Sequence, residues 1–145
     1  MAVSGIAPFW QGCYDIIRVL FFTSPTRGLM MHRYIYKIAA RPLWEEAEQR
    51  GVFSGAEIDI RDGYIYFSSQ EQVAETLALH FAGQSDLVLI EVDAARLDIK
   101  WEPSRGGQLF PHLYGELPLE PVRTVWPLAL DTSGQHILPP LPLAT

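Results

Sequence analysis

Eight of the chain's eleven prolines lie between Pro103 and Pro142, and that placement restricts the fold more than any other feature. A proline inside a helix removes a backbone hydrogen bond and clashes with the preceding turn. The last third of the chain must therefore be strands and turns, and helices are confined to what comes before. There, Tyr34 to Ala39 reads as a strand rich in β-branched and aromatic residues. Pro42 opens a short amphipathic helix with Leu43, Trp44 and Ala47 on one side and the acidic run Glu45, Glu46, Glu48 in water, and Gly51 stops it.

Asp62-Gly63 signals a turn into a second strand, Tyr64 to Ser68. Glu57, Asp59 and Asp62 are expected to shape that turn, since they lack the spacing of a calcium loop. Ser68 or Ser69, followed by Glu71 and Gln72, can form a capping box. The helix it opens carries Val73, Leu77 and Phe81 as its buried stripe and runs to about Gly83. Leu87 to Val92 is the most hydrophobic segment and reads as a central strand. Asp98 to Glu102 alternates as a half-buried strand should, and Val122 to Trp126 can be the last one. The order β-α-β-α-β-β-loop-β contains no doubly wound pattern and predicts an α+β domain over residues 31–130. Residues 131–145 read as a Pro-rich extended tail. Residues 1–30 read as an extension, either poorly ordered or upstream of the natural start, as against a packing element.

Charge and cysteine content narrow the partners. With 11 Lys+Arg against 17 Asp+Glu, the net charge is −6, the wrong sign for nucleic acid or an anionic membrane. Cys13 is the only cysteine, which excludes a disulfide framework and fits a reducing cytoplasm. The apolar run Ile16 to Phe22 is interrupted by Arg18 and is far shorter than the roughly 20 residues needed to span a bilayer. The four histidines are scattered, so no metal site is expected. The glycine-rich phosphate motifs and the nucleophile elbow are absent.

Chemistry concentrates in Trp101 to Gly115, where Gly106-Gly107 is bracketed by aromatic, acidic, basic and imidazole side chains. This stretch reads as the rim of a cleft. If His112 to Tyr114 is extended, His112 and Tyr114 share a face while Leu113 points to the core. His112 then either contacts a ligand or hydrogen-bonds a buried partner. Tyr66 shares a strand face with Tyr64 and Ser68, where ordinary cross-strand packing is the alternative to a binding role.

These segments together, Ile35 to Ile38, Asp62 to Ser68, Gln72-Val73, His80 to Gly83, Leu87 to Val92, Trp101-Glu102 and Phe110-Pro111-His112-Leu113-Tyr114-Gly115, resemble the bacterial family called domain of unknown function 952, over about residues 33–126. The resemblance implies an ADP-ribosyltransferase-like fold, with two small β-sheets and short flanking helices around an NAD-sized cleft. That family usually has His where this chain has Tyr66. A phenol keeps a hydrogen-bonding tip but titrates near 10, so if the family's chemistry needs an imidazole there, this chain has lost it or uses His112 instead.

The resemblance thus makes His112 and Glu102 the catalytic candidates, Glu116 being the other acid close by in sequence. Lys37, placed near phosphate, and Tyr66, Ser68, Trp101, Arg105 and Tyr114 are the ligand-binding candidates. NAD or another nucleotide-like molecule is the implied ligand, and any enzyme here would be a transferase or hydrolase acting on it. The alternative is a non-catalytic domain that binds a protein or small molecule on a degenerate transferase fold, with the Pro-rich tail as its docking segment.

Overall fold

The computed structural model describes residues 32–142; the extension expected at 1–30 lies outside them. The first strand, β1 (Tyr34–Ala40), leads into α1 (Arg41–Arg50), β2 (Val52–Phe53), α2 (Glu57–Asp62) and β3 (Ile65–Tyr66). A 3-10 turn at Gln70–Gln72 then precedes α3 (Val73–His80). Strands β4 (Leu87–Asp93), β5 (Ile99–Pro103), β6 (Leu109–Leu113), β7 (Leu117–Pro118), β8 (Val122–Leu130) and β9 (His136–Ile137) complete the domain. It is a mixed α+β fold of antiparallel sheets with a few short helices.

The first sheet has the order β1-β4-β8-β9. Both faces of β1 and β4 are covered, which is why Leu87 to Asp93 is buried without a break and reads as the most hydrophobic segment. One face packs Tyr36, Ile38, Leu87, Leu89 and Leu128 against Val73 and Leu77 of α3. The other packs Ile35, Ala39, Val88, Ile90 and Val92 against Trp44 and Ala47 of α1 and against Ile65 and Leu113 of the second sheet. That second sheet has the order β3-β6-β5, and β2 pairs with β7 in a small third one.

Several expectations agree with this architecture. Pro42 sits in the first turn of α1, and Gly51, at φ 83°, ends it by donating its N–H to the Ala47 carbonyl. The capping box forms at Ser69, whose N–H donates to the Gln72 side chain at 2.9 Å. Four expectations need correction. The strand read as Tyr64 to Ser68 is divided: Ile65 and Tyr66 pair with β6, while Ser68 exchanges both backbone hydrogen bonds with Tyr36 of β1. The stretch read as a loop contains β6, the middle strand of the second sheet. Pro111 in that strand has no N–H to signal pairing, yet its carbonyl accepts from Phe67. The glycines expected at a cleft rim, Gly106 and Gly107, instead form the β5–β6 turn, with φ of 67° and 83°.

The fourth correction is α2, which replaces the turn expected around Asp59. Asp59 is 2% exposed. It accepts the Ala56 N–H at 2.7 Å and the Tyr66 N–H at 3.1 Å, so one carboxylate starts the helix and anchors β3. Gly55 makes room for it. At φ +114°, a Cβ on residue 55 would stand 2.8 Å from the Asp59 Cβ. Gly55→Ala is therefore expected to destabilise the domain by about 1–3 kcal/mol, read as a lowered thermal midpoint; an unchanged midpoint would refute the tight approach.

Beyond residue 130, β9 adds to the edge of β8, and Leu138 and Leu141 pack against the cluster around Tyr36 and Leu89. Leu138 and Leu141 are thus engaged by the domain itself, while Ile137 is exposed. No helix among the described residues is long and apolar enough to cross a membrane.

Candidate functional site

Side chains alternate across the second sheet. Ile65, Leu113, Ile99 and Trp101 face the core shared with the first sheet. On the opposite face, Tyr66 and Lys100 are the register partners of His112 on either side of it. Glu102, two residues on from Lys100, reaches His112 diagonally. Tyr64 and Tyr114, each two residues from a register partner, extend the same face.

His112 is the centre of this group and is 1% exposed. Its Nδ1 lies 2.8 Å from Glu102 Oε1. An ionised carboxylate can only accept, so this hydrogen bond puts a proton on Nδ1, and in the neutral tautomer Nε2 is left as a lone pair. Nε2 is buried and has no hydrogen-bond partner among the described residues. Tyr64 stacks on the imidazole at 4.3 Å between centroids, and Tyr66 meets it edge-on at 5.1 Å. Tyr114 packs against Tyr64 at 5.0 Å and donates its hydroxyl to Glu102 at 2.8 Å.

The electrostatics follow from these contacts. Burial acts to raise the Glu102 carboxyl, but the hydrogen bonds from His112 and Tyr114 outweigh it and hold the group below its ordinary value. The Tyr66 hydroxyl donates to Asp62, and that bond together with Arg61 holds Asp62 low as well. Burial, helped by the neighbouring carboxylate, pushes the Tyr66 phenol well up, and burial also raises Tyr64. The face therefore holds ionised carboxylates and neutral phenols at neutral pH. A carboxyl whose folded value is depressed contributes stability above its unfolded value and loses it as the pH falls through the folded one. Glu102→Gln should thus lower stability at pH 7 by about 1 kcal/mol and leave it unchanged in acid, where the carboxyl is protonated in both states. Denaturant curves at the two pH values check this; an equal loss at both would contradict it.

Of the residues expected at a site, the structure brings together His112, Glu102, Tyr66 and Tyr114. Lys37 is not among them. It projects from β1 into the interior, 5% exposed, with Nζ 2.7 Å from Asp59 Oδ2. Its charge is neutralised there and is not offered to a phosphate. Ser68 is buried and its hydroxyl lies 3.1 Å from that of Thr76. Trp101 faces the core side, its ring 4.9 Å from that of His32. Glu116 accepts from Ser54 at 2.8 Å, away from His112. Arg105 lies in the β5–β6 turn, and its side chain is outside the described part. Tyr64 and Asp62 join the group unforeseen, although the two-residue spacing of Tyr64 from Tyr66 placed it on the same face. No cluster of three or more His, Cys, Asp or Glu among the described residues is arranged to hold a metal ion.

A solved protein shares this arrangement of chain. The crystal structure of protein CC0527 from Caulobacter crescentus is 45% identical, covers 72% of this chain and 93% of its own, and superposes with a TM-score of 0.69. The solution NMR structure of CC0527 is 46% identical over 71% of this chain and 90% of that one, with a TM-score of 0.65. Among curated proteins none matches. Residues 38–125, which hold every member of the His112 group, match the family described as Protein of unknown function (DUF952), and the chain belongs to that family.

Proposed function

We propose that the His112 face of the second sheet binds a nucleotide-like small molecule, such as NAD or ADP-ribose, through its ring rather than its phosphates. The observation that carries this reading is the buried His112 Nε2, which has no hydrogen-bond partner among the described residues, while Glu102 holds Nδ1. A buried acceptor left unpaired costs about 1–3 kcal/mol, and a ligand N–H or O–H placed there recovers it. Tyr64, Tyr66 and Tyr114 supply flat faces for stacking. Antiparallel sheets with short helices packed on them support an ADP-ribosyltransferase-like reading of the fold.

In the same reading, His112 acts as general base and Glu102 orients it and stabilises the imidazolium that forms. A transferase or hydrolase acting on NAD or an ADP-ribose-like ligand is the activity that suits such a pair. The test is a two-dimensional 1H–15N NMR titration of the full chain with NAD, ADP-ribose and nicotinamide. Saturable shifts centred on Tyr64, Tyr66, Glu102, His112 and Tyr114 are expected. No shifts at millimolar ligand would overturn the proposal and favour a non-catalytic protein-interaction domain.

A further inference from the structure

Granted the ring-binding reading above, two polar atoms of the His112 face define the group that a bound ring must carry. His112 Nε2 is buried and has no hydrogen-bond partner among the described residues. With Nδ1 held by Glu102 at 2.8 Å, the neutral imidazole accepts at Nε2. Tyr64 supplies the complement. The Tyr66 hydroxyl gives its proton to Asp62, so its 3.4 Å contact with the Tyr64 oxygen is a long one that a ligand at normal hydrogen-bond distance outcompetes. Burial keeps the Tyr64 phenol protonated at neutral pH. Its hydroxyl therefore has a proton to donate where Nε2 has one to receive. The Tyr64 ring stacks on the imidazole with centroids 4.3 Å apart and planes inclined by 26°, which sets donor and acceptor side by side.

We infer that Tyr64 and His112 recognise a carboxamide carried on a flat ring, Tyr64 Oη donating to the amide carbonyl and His112 Nε2 accepting an amide N–H. An amide holds an acceptor and a donor in one plane. With their two hydrogen bonds these span up to roughly 8 Å, enough to join two rings stacked at 4.3 Å. A ketone of the same shape satisfies Tyr64 and leaves Nε2 unpaired. A carboxylate brings no proton for Nε2. A site built to hydrogen-bond a ligand N–H rejects the analogue that lacks it, because the site's own buried atom then goes without a partner. Tyr64 is in this way a specificity-determining residue through its hydroxyl, apart from the stacking surface of its ring.

Rings of nearly one shape separate these cases: nicotinamide and benzamide carry the amide, 3-acetylpyridine the ketone and nicotinate the carboxylate. Each is titrated into the full chain at neutral pH and followed by 1H–15N shifts at Tyr64, Glu102 and His112. The two amides should bind within about threefold of each other, and the ketone and the carboxylate at least about tenfold more weakly. Tyr64→Phe, checked for folding by its thermal midpoint, keeps the stacked ring and should weaken nicotinamide by about tenfold. Its affinity for pyridine, which has no carbonyl to meet the hydroxyl, should stay within about twofold of the unaltered chain. Binding of 3-acetylpyridine as tight as that of nicotinamide would overturn the amide selectivity while leaving the ring site in place. Tightest binding of nicotinate would also overturn it, since a carboxylate needs a proton on Nε2. Nicotinamide affinity unchanged in Tyr64→Phe would overturn the role of the Tyr64 hydroxyl. Failure of all the rings to bind would overturn both the selectivity and the site.

Discussion

Asp59→Ala should cost this domain about 3–5 kcal/mol, because it leaves the Lys37 ammonium buried and uncompensated. Burial already pushes that ammonium below its ordinary value, against the pull of Asp59. The substitution also removes the acceptor of two backbone donors, the Ala56 and Tyr66 N–H groups. Domains of this size are stable by roughly 5–15 kcal/mol in total, so the variant would be close to unfolding. Lys37→Met should be milder, since Asp59 keeps both backbone donors when its ion-pair partner is gone. The double variant Lys37→Met/Asp59→Ala should be less damaged than Asp59→Ala alone. Urea unfolding of the four proteins checks this; a loss below about 1 kcal/mol for Asp59→Ala would give the pair the small value of a surface ion pair.

His112→Phe is the second substitution with a large expected effect, and here it falls on binding. The phenyl ring preserves the packing against Tyr64 and Tyr66, and Glu102 keeps its hydrogen bond from Tyr114. What disappears is Nε2 as acceptor and Nδ1–H as anchor. Nicotinamide affinity should fall by about 10- to 100-fold, the value of a hydrogen bond made in a buried setting, while the protein remains folded. His112→Ala would test less well. The ring is 1% exposed, so its removal opens a cavity and lowers stability whatever the ring does chemically. Folded His112→Phe that binds nicotinamide as the parent does would remove the imidazole from the site.

The legible parts of the fold were those with a local cause. Pro42 and Gly51 bound α1 through backbone geometry, the Ser69 and Gln72 pair opens the helical segment that follows it, and the unbroken apolar run at Leu87 marks a strand buried on both faces. The second sheet was harder to read because its signals cancel. Pro111 argues against a strand, yet β6 lies at the centre. Residues 65–68 divide their pairing between two sheets, so neither pairing is long. Helix α2 exposes Ile58 and Ile60 and buries Asp59, which reverses the pattern that identifies an amphipathic helix.

At the site, alternation placed His112 and Tyr114 on one face with Leu113 in the core, and the contacts of both side chains with Glu102 agree with it. The burial of Lys37 against Asp59 could not be read this way. It depends on a contact between residues 22 positions apart that no spacing rule predicts. Trp101 and Glu102 are neighbours in sequence and point to opposite faces of the sheet, so only one of them could belong to the His112 group.

Ligand binding at this face requires Glu102 to hold His112 with its proton on Nδ1 and its lone pair on Nε2, where a ligand donor meets it. Long-range 1H–15N correlation of the His112 ring, recorded without ligand and with saturating nicotinamide, reports both nitrogens directly. A protonated Nδ1 and an unprotonated Nε2 are expected in the free protein, with the Nε2 resonance moving on saturation. A proton on Nε2, or an Nε2 resonance unmoved while shifts saturate elsewhere, would contradict it.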